Sequence, residues 1–102
     1  MDKEIKEMTT EELERKLDEK KYVIVDVRED DEVAKGMIPG AIHIPLGSIP
    51  EKLDEFHKDN EYVMVCRSGG RSHRASLFLQ ENGYKVYNLK GGMLEWKGEK
   101  EF

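Results

Sequence analysis

The sequence predicts an α/β domain in which a parallel sheet is covered by helices on both faces. Two runs, YVIVDV (22–27) and YVMV (62–65), are short, β-branched and mostly apolar, as strands buried on both faces are. Between such runs the apolar spacing turns helical, so that strands and helices alternate along the chain. A length of 102 residues fits one core over 1–102 and leaves little room for a second domain.

Each element has its own signal. Thr9 and Glu12 stand at capping-box spacing, with Met8 and Leu13 where a hydrophobic staple sits, ahead of a helix through EELERKLDEK (11–20). Leu13 and Leu17 share one face of that helix. After the strand at 22–27, REDDE opens a short helical turn that ends at Pro39-Gly40, a turn signal. AIHI (41–44) reads as a second short strand. Ser48 is then expected to cap a helix through IPEKLDEF (49–56), with Pro50 tolerated in the first turn. YVMV follows, and a helix beginning near Ser72 carries Ala75, Phe78 and Leu79 on its apolar face, with Gly83 as its C-terminal cap. KVYNL (85–89) is a further strand, and GGMLEWK (91–97) a turn leading into a final short helix.

Composition narrows the function classes. With 38% charged and 37% hydrophobic residues the chain is polar, but its apolar residues are clustered, which argues for a fold over disorder. A formal charge of −5 argues against nonspecific nucleic-acid binding, and no apolar stretch is long enough to span a bilayer. The opening MDKEIKEMTTEEL lacks the apolar run of a signal peptide, so a reducing cytoplasm is the expected compartment. One cysteine makes no internal disulfide, no CxxC redox pair and no cysteine-rich zinc site. His43 and His57 are isolated, no set of residues has zinc-ligand spacing, and no cofactor is called for.

That single thiol stands in VMVCRSGGRS (63–72), inside a span with no carboxylate between Glu61 and Glu81. Cys66 directly follows a buried strand, and in parallel sheets the functional crevice lies outside the carboxyl ends of the strands. The glycines let successive loop amides turn inward as an anion-binding nest, and the following helix adds its unpaired N–H groups. Arg67 and Arg71 supply positive charge, with Arg74 one turn further on. All of these favour a thiolate, so Cys66 is expected to have a lowered pKa and to act as an activated nucleophile beside an anion cradle. A lone cysteine is more often a buried apolar filler, glycines alone mark a tight turn, and clustered arginines are usually a solvated face. The coincidence of strand, Cys, Gly-Gly, paired Arg and helix start in one decapeptide favours the chemical reading.

Four segments now combine. VDVRE (25–29), IPGAIHIP (38–45), VCRSGGRS (65–72) and LKGGMLEW (89–96), in this order and spacing, resemble a single-domain rhodanese, a sulfurtransferase, over nearly the whole chain. The resemblance implies a rhodanese-like α/β fold with five parallel strands, the first of them a short strand near IKEM (5–8). It implies that Cys66 carries sulfur as a persulfide. The loop amides of Arg67, Ser68, Gly69, Gly70, Arg71 and Ser72 would then cradle the outer sulfur and the anionic donor. The family often has His before the Ile-Pro-Gly turn, where this chain has Met37.

The expected partners are a small anionic sulfur donor such as thiosulfate and an acceptor that is cyanide or a thiol, a protein thiol included. Asp26 and Arg28 stand near the active face, but a buried ion pair tying loops together is the stronger reading for them. His73 is close to Cys66 in sequence, yet a place in the first turn of a helix points it toward solvent. Trp96 is expected to cover an edge of the core. Two rivals stand beside the leading reading. A cysteine phosphatase or arsenate reductase uses a similar loop with Cys-x5-Arg, whereas this chain has Cys66-x4-Arg71. A sulfur-relay or binding module would hand its sulfur to another protein.

Overall fold

The computed structural model describes residues 4–102. Its strands are β1 (Glu7–Met8), β2 (Tyr22–Asp26), β3 (Ile42–His43), β4 (Glu61–Val65) and β5 (Lys85–Leu89). The helices are α1 (Thr10–Lys16), α2 (Asp30–Val33), α3 (Gly70–Glu81) and α4 (Gly92–Glu95). The five strands form one sheet in the order β1-β5-β4-β2-β3, and every pairing is parallel.

β4 lies at the centre, and alternation along it divides the core in two. Tyr62, Met64 and Cys66 join Val25 and Val27 against Ala75 and Leu79 of α3, together with Ile49 and Phe56. Val63 and Val65 face the other way, with Ile24 and Leu89, onto Leu13 of α1 and Met93 and Trp96 by α4. Both faces are therefore covered, which is why β4 after Glu61 and β2 before Asp26 carry no charged residue.

The capping box at Thr9 forms as the sequence suggests, with the Glu12 amide donating to Thr9 Oγ1 and the Thr9 amide to Glu12 Oε1, both at 3.1 Å. Met8 and Leu13 are both buried beside it. The helix is shorter than expected: it gives way to a 3-10 turn over Leu17–Glu19, which Lys20 closes in the left-handed region at φ 52°. α3 ends in a Schellman motif, with Tyr84 N–H donating to Leu79 O and Gly83 N–H to Gln80 O.

The segment after β3 differs from its expectation. No α-helix forms over 49–56; the chain makes 3-10 turns at Leu46–Ser48 and Leu53–Glu55, and Ser48 provides no side-chain cap. Pro45 and Pro50 withhold two amides and Gly47 lowers the helical propensity between them. The helical spacing of Ile49, Leu53 and Phe56 was a burial signal, and two tight turns satisfy it equally well: Ile49 and Phe56 are buried and Leu53 half-buried.

Trp96 packs into the second core and donates from Nε1 to Glu99 O. Met37 exchanges two backbone hydrogen bonds of 2.8 Å with Glu101, contacts that do not depend on the side chain at this position.

Candidate active site

Cys66 follows β4 at the carboxyl end of the sheet and is 1% exposed. The chain turns at once into α3, which starts at Gly70, two residues earlier than its apolar spacing indicates. Gly69 makes the turn possible: its φ of 111° is closed to side chains. In that conformation the Gly69 amide donates to Cys66 Sγ at 3.0 Å, and its carbonyl accepts from His73 N–H at 3.1 Å. Ser72, fully buried in the first turn of α3, places its Oγ 3.3 Å from the same sulfur. Burial pushes the Cys66 thiol up, but hydrogen bonds from the Ser72 hydroxyl and from the amides of Ser72, Gly69 and Ser68 outweigh it. The thiol therefore lies below its ordinary value of 9.0.

The loop is gripped from behind by α4. Met93 N–H donates to Cys66 O at 2.9 Å and Leu94 N–H to Arg67 O at 3.0 Å. With their carbonyls turned toward α4, Cys66 and Arg67 leave the amides that follow free to face the sulfur side. The approach is so close that a Cβ on Gly92 would stand 2.5 Å from Cys66 O and 2.6 Å from Arg67 O. This explains the second glycine pair in chemical terms: it lets one helix end hold the nucleophile loop.

The charges divide differently from the sequence expectation. Arg67 is exposed and has no ion-pair partner among the described residues. Arg74 and His73 are likewise exposed on α3, so His73 stays at the surface as its position suggests. The Arg71 guanidinium, expected to reach a bound anion, is held by Glu32 of α2 through parallel bonds of 2.7 and 2.8 Å. Glu32 also accepts from the Glu29 amide at 2.9 Å. The Arg71 side chain and the Glu29 amide bring the Glu32 carboxyl down to about 2, so it is ionised throughout the neutral range. What Arg71 keeps for a ligand is its backbone amide; its side chain must be won from Glu32.

Asp26 and Arg28 are the buried pair that the sequence favours. Arg28 Nε and Nη2 donate to the Asp26 carboxylate at 3.0 and 2.8 Å, and Nη2 also reaches Gly36 O at 2.8 Å. The Arg28 carbonyl lies 2.6 Å from His43 Nε2. With its charge neutralised and its donors directed at Glu32 O and Gly36 O, the pair ties the end of β2 to the 32–36 segment.

Two site residues escape the sequence reading. Glu32 is one of several acids in REDDE, and nothing local marks it as the partner of an arginine 39 positions on. Asn88 on β5 did carry a signal, as a lone amide beside the apolar residues of a strand. It is 3% exposed, accepts from Ser72 Oγ at 2.5 Å and donates from Nδ2 to Gly69 O at 3.0 Å.

Comparison with known proteins agrees with this architecture. Residues 9–99 match the model of the rhodanese-like domain. A Bacillus subtilis protein named "Putative sulfurtransferase YtwF" is 54% identical over 98 residues, 94% of each chain. A sulfurtransferase of Allochromatium vinosum is 40% identical over 94 residues, covering 90% of this chain and 88% of its own. Among solved structures, a rhodanese-like domain protein from Staphylococcus aureus superimposes with a TM-score of 0.90 at 44% identity, over 96% of this chain and 98% of its own. Family model, near-full-length relatives and fold coincide, and the chain belongs to the rhodanese-like family.

Proposed function

We propose that the protein moves sulfane sulfur from a small anionic donor such as thiosulfate to a thiol or cyanide acceptor through a persulfide on Cys66. The observation that carries this reading is a buried sulfur with a lowered thiol pKa, set against amide and hydroxyl donors at 3.0 and 3.3 Å. The Cys66 thiolate attacks the outer sulfur of thiosulfate. A new S–S bond forms as the old one breaks, and its electron pair leaves with sulfite. The acceptor thiolate or cyanide then attacks the outer sulfur of the persulfide and the pair returns to Cys66. Charge is conserved in each half, and the two halves predict ping-pong kinetics. Loop amides from Arg67 to Ser72 stabilise the anionic outer sulfur without needing to reorganise. Arg67, exposed at the mouth, is suited to steer the dianion in. No helix among the described residues is long and apolar enough to cross a membrane, and a reducing compartment would keep the thiol available.

Loop size separates this reading from a phosphatase. A phosphoryl group presents three oxygens to the ring of amides, whereas a persulfide presents one sulfur. The Cys66-x4-Arg71 ring is one residue shorter than the phosphatase pattern. The unmodified protein is expected to show thiosulfate:cyanide sulfurtransfer and negligible hydrolysis of aryl phosphates. One glycine inserted between Gly70 and Arg71 should depress sulfurtransfer and widen the ring toward phosphate or arsenate. Both assays run side by side, with Cys66→Ser as the blank. Cys66-dependent phosphate hydrolysis without sulfurtransfer overturns the proposal.

The Arg71–Glu32 pair gives a second test. Glu32→Gln releases the guanidinium, so the KM for thiosulfate should fall severalfold with kcat little changed. Arg71→Ala leaves an ionised Glu32 facing the donor, so its KM should rise well above that of Arg15→Ala, a control on the polar face of α1. A partly exposed pair is worth about 1 kcal/mol, which corresponds to roughly fivefold. Arg71→Ala/Glu32→Gln should recover most of that loss. Steady-state kinetics on the four variants decide it, and no difference between Arg71→Ala and Arg15→Ala would remove Arg71 from donor binding.

A further inference from the structure

The Ser72 hydroxyl has one proton and two acceptors. Its Oγ stands 2.5 Å from Asn88 Oδ1 and 3.3 Å from Cys66 Sγ. The carboxamide cannot turn to offer its NH2 instead, because Nδ2 is committed to Gly69 O at 3.0 Å. Ser72 is 0% and Asn88 3% exposed, so protein groups must satisfy them. In register Asn88 lies beside Met64, on the same face of the sheet as Cys66.

We propose that Asn88 is a positioning residue that competes with Cys66 for the Ser72 proton, so that the hydroxyl turns to sulfur only while that sulfur is charged. With a neutral thiol, Sγ–H donates to Ser72 Oγ and the hydroxyl donates onward to Asn88, leaving every group satisfied. With a thiolate, the hydroxyl must leave Asn88 to serve the sulfur, and Oδ1 then faces an oxygen lone pair at short range. A persulfide lets the hydroxyl return to Asn88, because its inner sulfur, though it has no proton to donate to Ser72 Oγ, is uncharged and the negative charge has moved to the outer atom. Asn88 thus favours the sulfur-loaded state over the free thiolate, a consequence that rests on the sulfurtransfer reading above. The same carboxamide, through Gly69 O, fixes the amide that donates to Sγ.

The two roles separate in a double-mutant cycle read by thiolate absorbance against pH. Loss of the Gly69 contact alone shifts the Cys66 midpoint equally whether or not Ser72 is present. Competition for the proton does not. In the Asn88→Leu protein the Ser72 hydroxyl is free to serve the sulfur. Ser72→Ala should therefore raise the midpoint by about one pH unit more there than in the unsubstituted protein, the size expected of a hydrogen bond to a charge. An equal or smaller rise overturns the proposal. The other charged or titratable groups around the site are Arg67, the Arg71–Glu32 pair, His73, Arg74, the Asp26–Arg28 pair and, beyond β5 and on α4, Lys90 and Glu95. They are common to all four proteins and cancel in the comparison. If Asn88→Leu does not fold, the side-chain carbonyl carbon of Asn88 can be followed by NMR. Its shift should track the Cys66 titration in the unsubstituted protein and lose that dependence in Ser72→Ala; the same dependence in both, or none in either, overturns the proposal. Neither measurement uses a sulfur donor. A protein that shows the coupling but gains no sulfur from thiosulfate would therefore sink the sulfurtransfer reading and leave this one standing.

Discussion

Cys66→Ser is expected to abolish sulfur transfer while leaving the domain folded. The unsubstituted protein, incubated with thiosulfate and examined by mass spectrometry, should gain one sulfur atom, and peptide mapping should place it on Cys66. The serine variant should gain none, and its turnover should fall to the blank. A serine hydroxyl is not a nucleophile toward sulfane sulfur at neutral pH, because its ionised form is out of reach there. The fold should survive, since the replacement is smaller and its hydroxyl inherits ready partners in the Gly69 amide and the Ser72 hydroxyl. The stability cost should be about 1 kcal/mol, within the ordinary range for a point substitution. A serine variant that kept its turnover would place the nucleophile elsewhere, and no other cysteine exists to take the role.

The parts of this molecule that could be read from sequence are those whose cause is local. The box at Thr9 and Glu12 needs only four residues and a backbone that follows them. Mostly apolar runs at 22–27 and 62–65 mark strands buried on both faces, and β2 and β4 are paired in the middle of the sheet. Cys66 could be placed because a parallel strand, a glycine turn and a helix start have one spatial outcome. β1 is different. Its two residues pair with β5 at the far side of the fold, and Glu7–Met8 has no periodicity to detect. Family resemblance supplied that strand. The 49–56 segment misled because burial at positions four and three apart suits two 3-10 turns as well as one helix. Glu32 and Asn88 reach the site from α2 and β5, and although Asn88 stands out as an amide among apolar neighbours, the partner of neither leaves a trace in spacing. For the same reason Arg71 looked available: its charge was visible, but its partner was not.

Gly92→Ala should be the most damaging substitution outside the loop itself. Gly92 has φ 57°, which for alanine costs about 1 kcal/mol. The larger cost is steric. The added Cβ would stand 2.5 Å from Cys66 O and 2.6 and 2.7 Å from the Arg67 carbonyl oxygen and carbon. These are backbone atoms, and no rotamer change moves them aside. Either α4 must retreat or the loop must, and the Met93–Cys66 and Leu94–Arg67 hydrogen bonds weaken in both cases. Together these effects should cost about 2–4 kcal/mol, which for a domain of this size is roughly 10–20 °C in Tm. Activity should suffer beyond what stability explains. When the carbonyls of Cys66 and Arg67 lose their anchor, the following amides no longer converge on the sulfur. A displacement of about 1 Å can cost on the order of a hundredfold in rate. The thiol should also drift up toward its ordinary range, as alkylation rate against pH would show. Two controls isolate the cause. A Cβ on Gly47 meets nothing within 4 Å, so Gly47→Ala should leave activity unchanged. A Cβ on Gly91 meets the Glu95 side chain, which can swing away, so Gly91→Ala should keep more activity than Gly92→Ala despite its own positive φ. Kinetics should be measured well below each Tm, so that only folded protein is compared. Full turnover in folded Gly92→Ala would show that the grip of α4 on the loop carbonyls does not set the nucleophile's geometry.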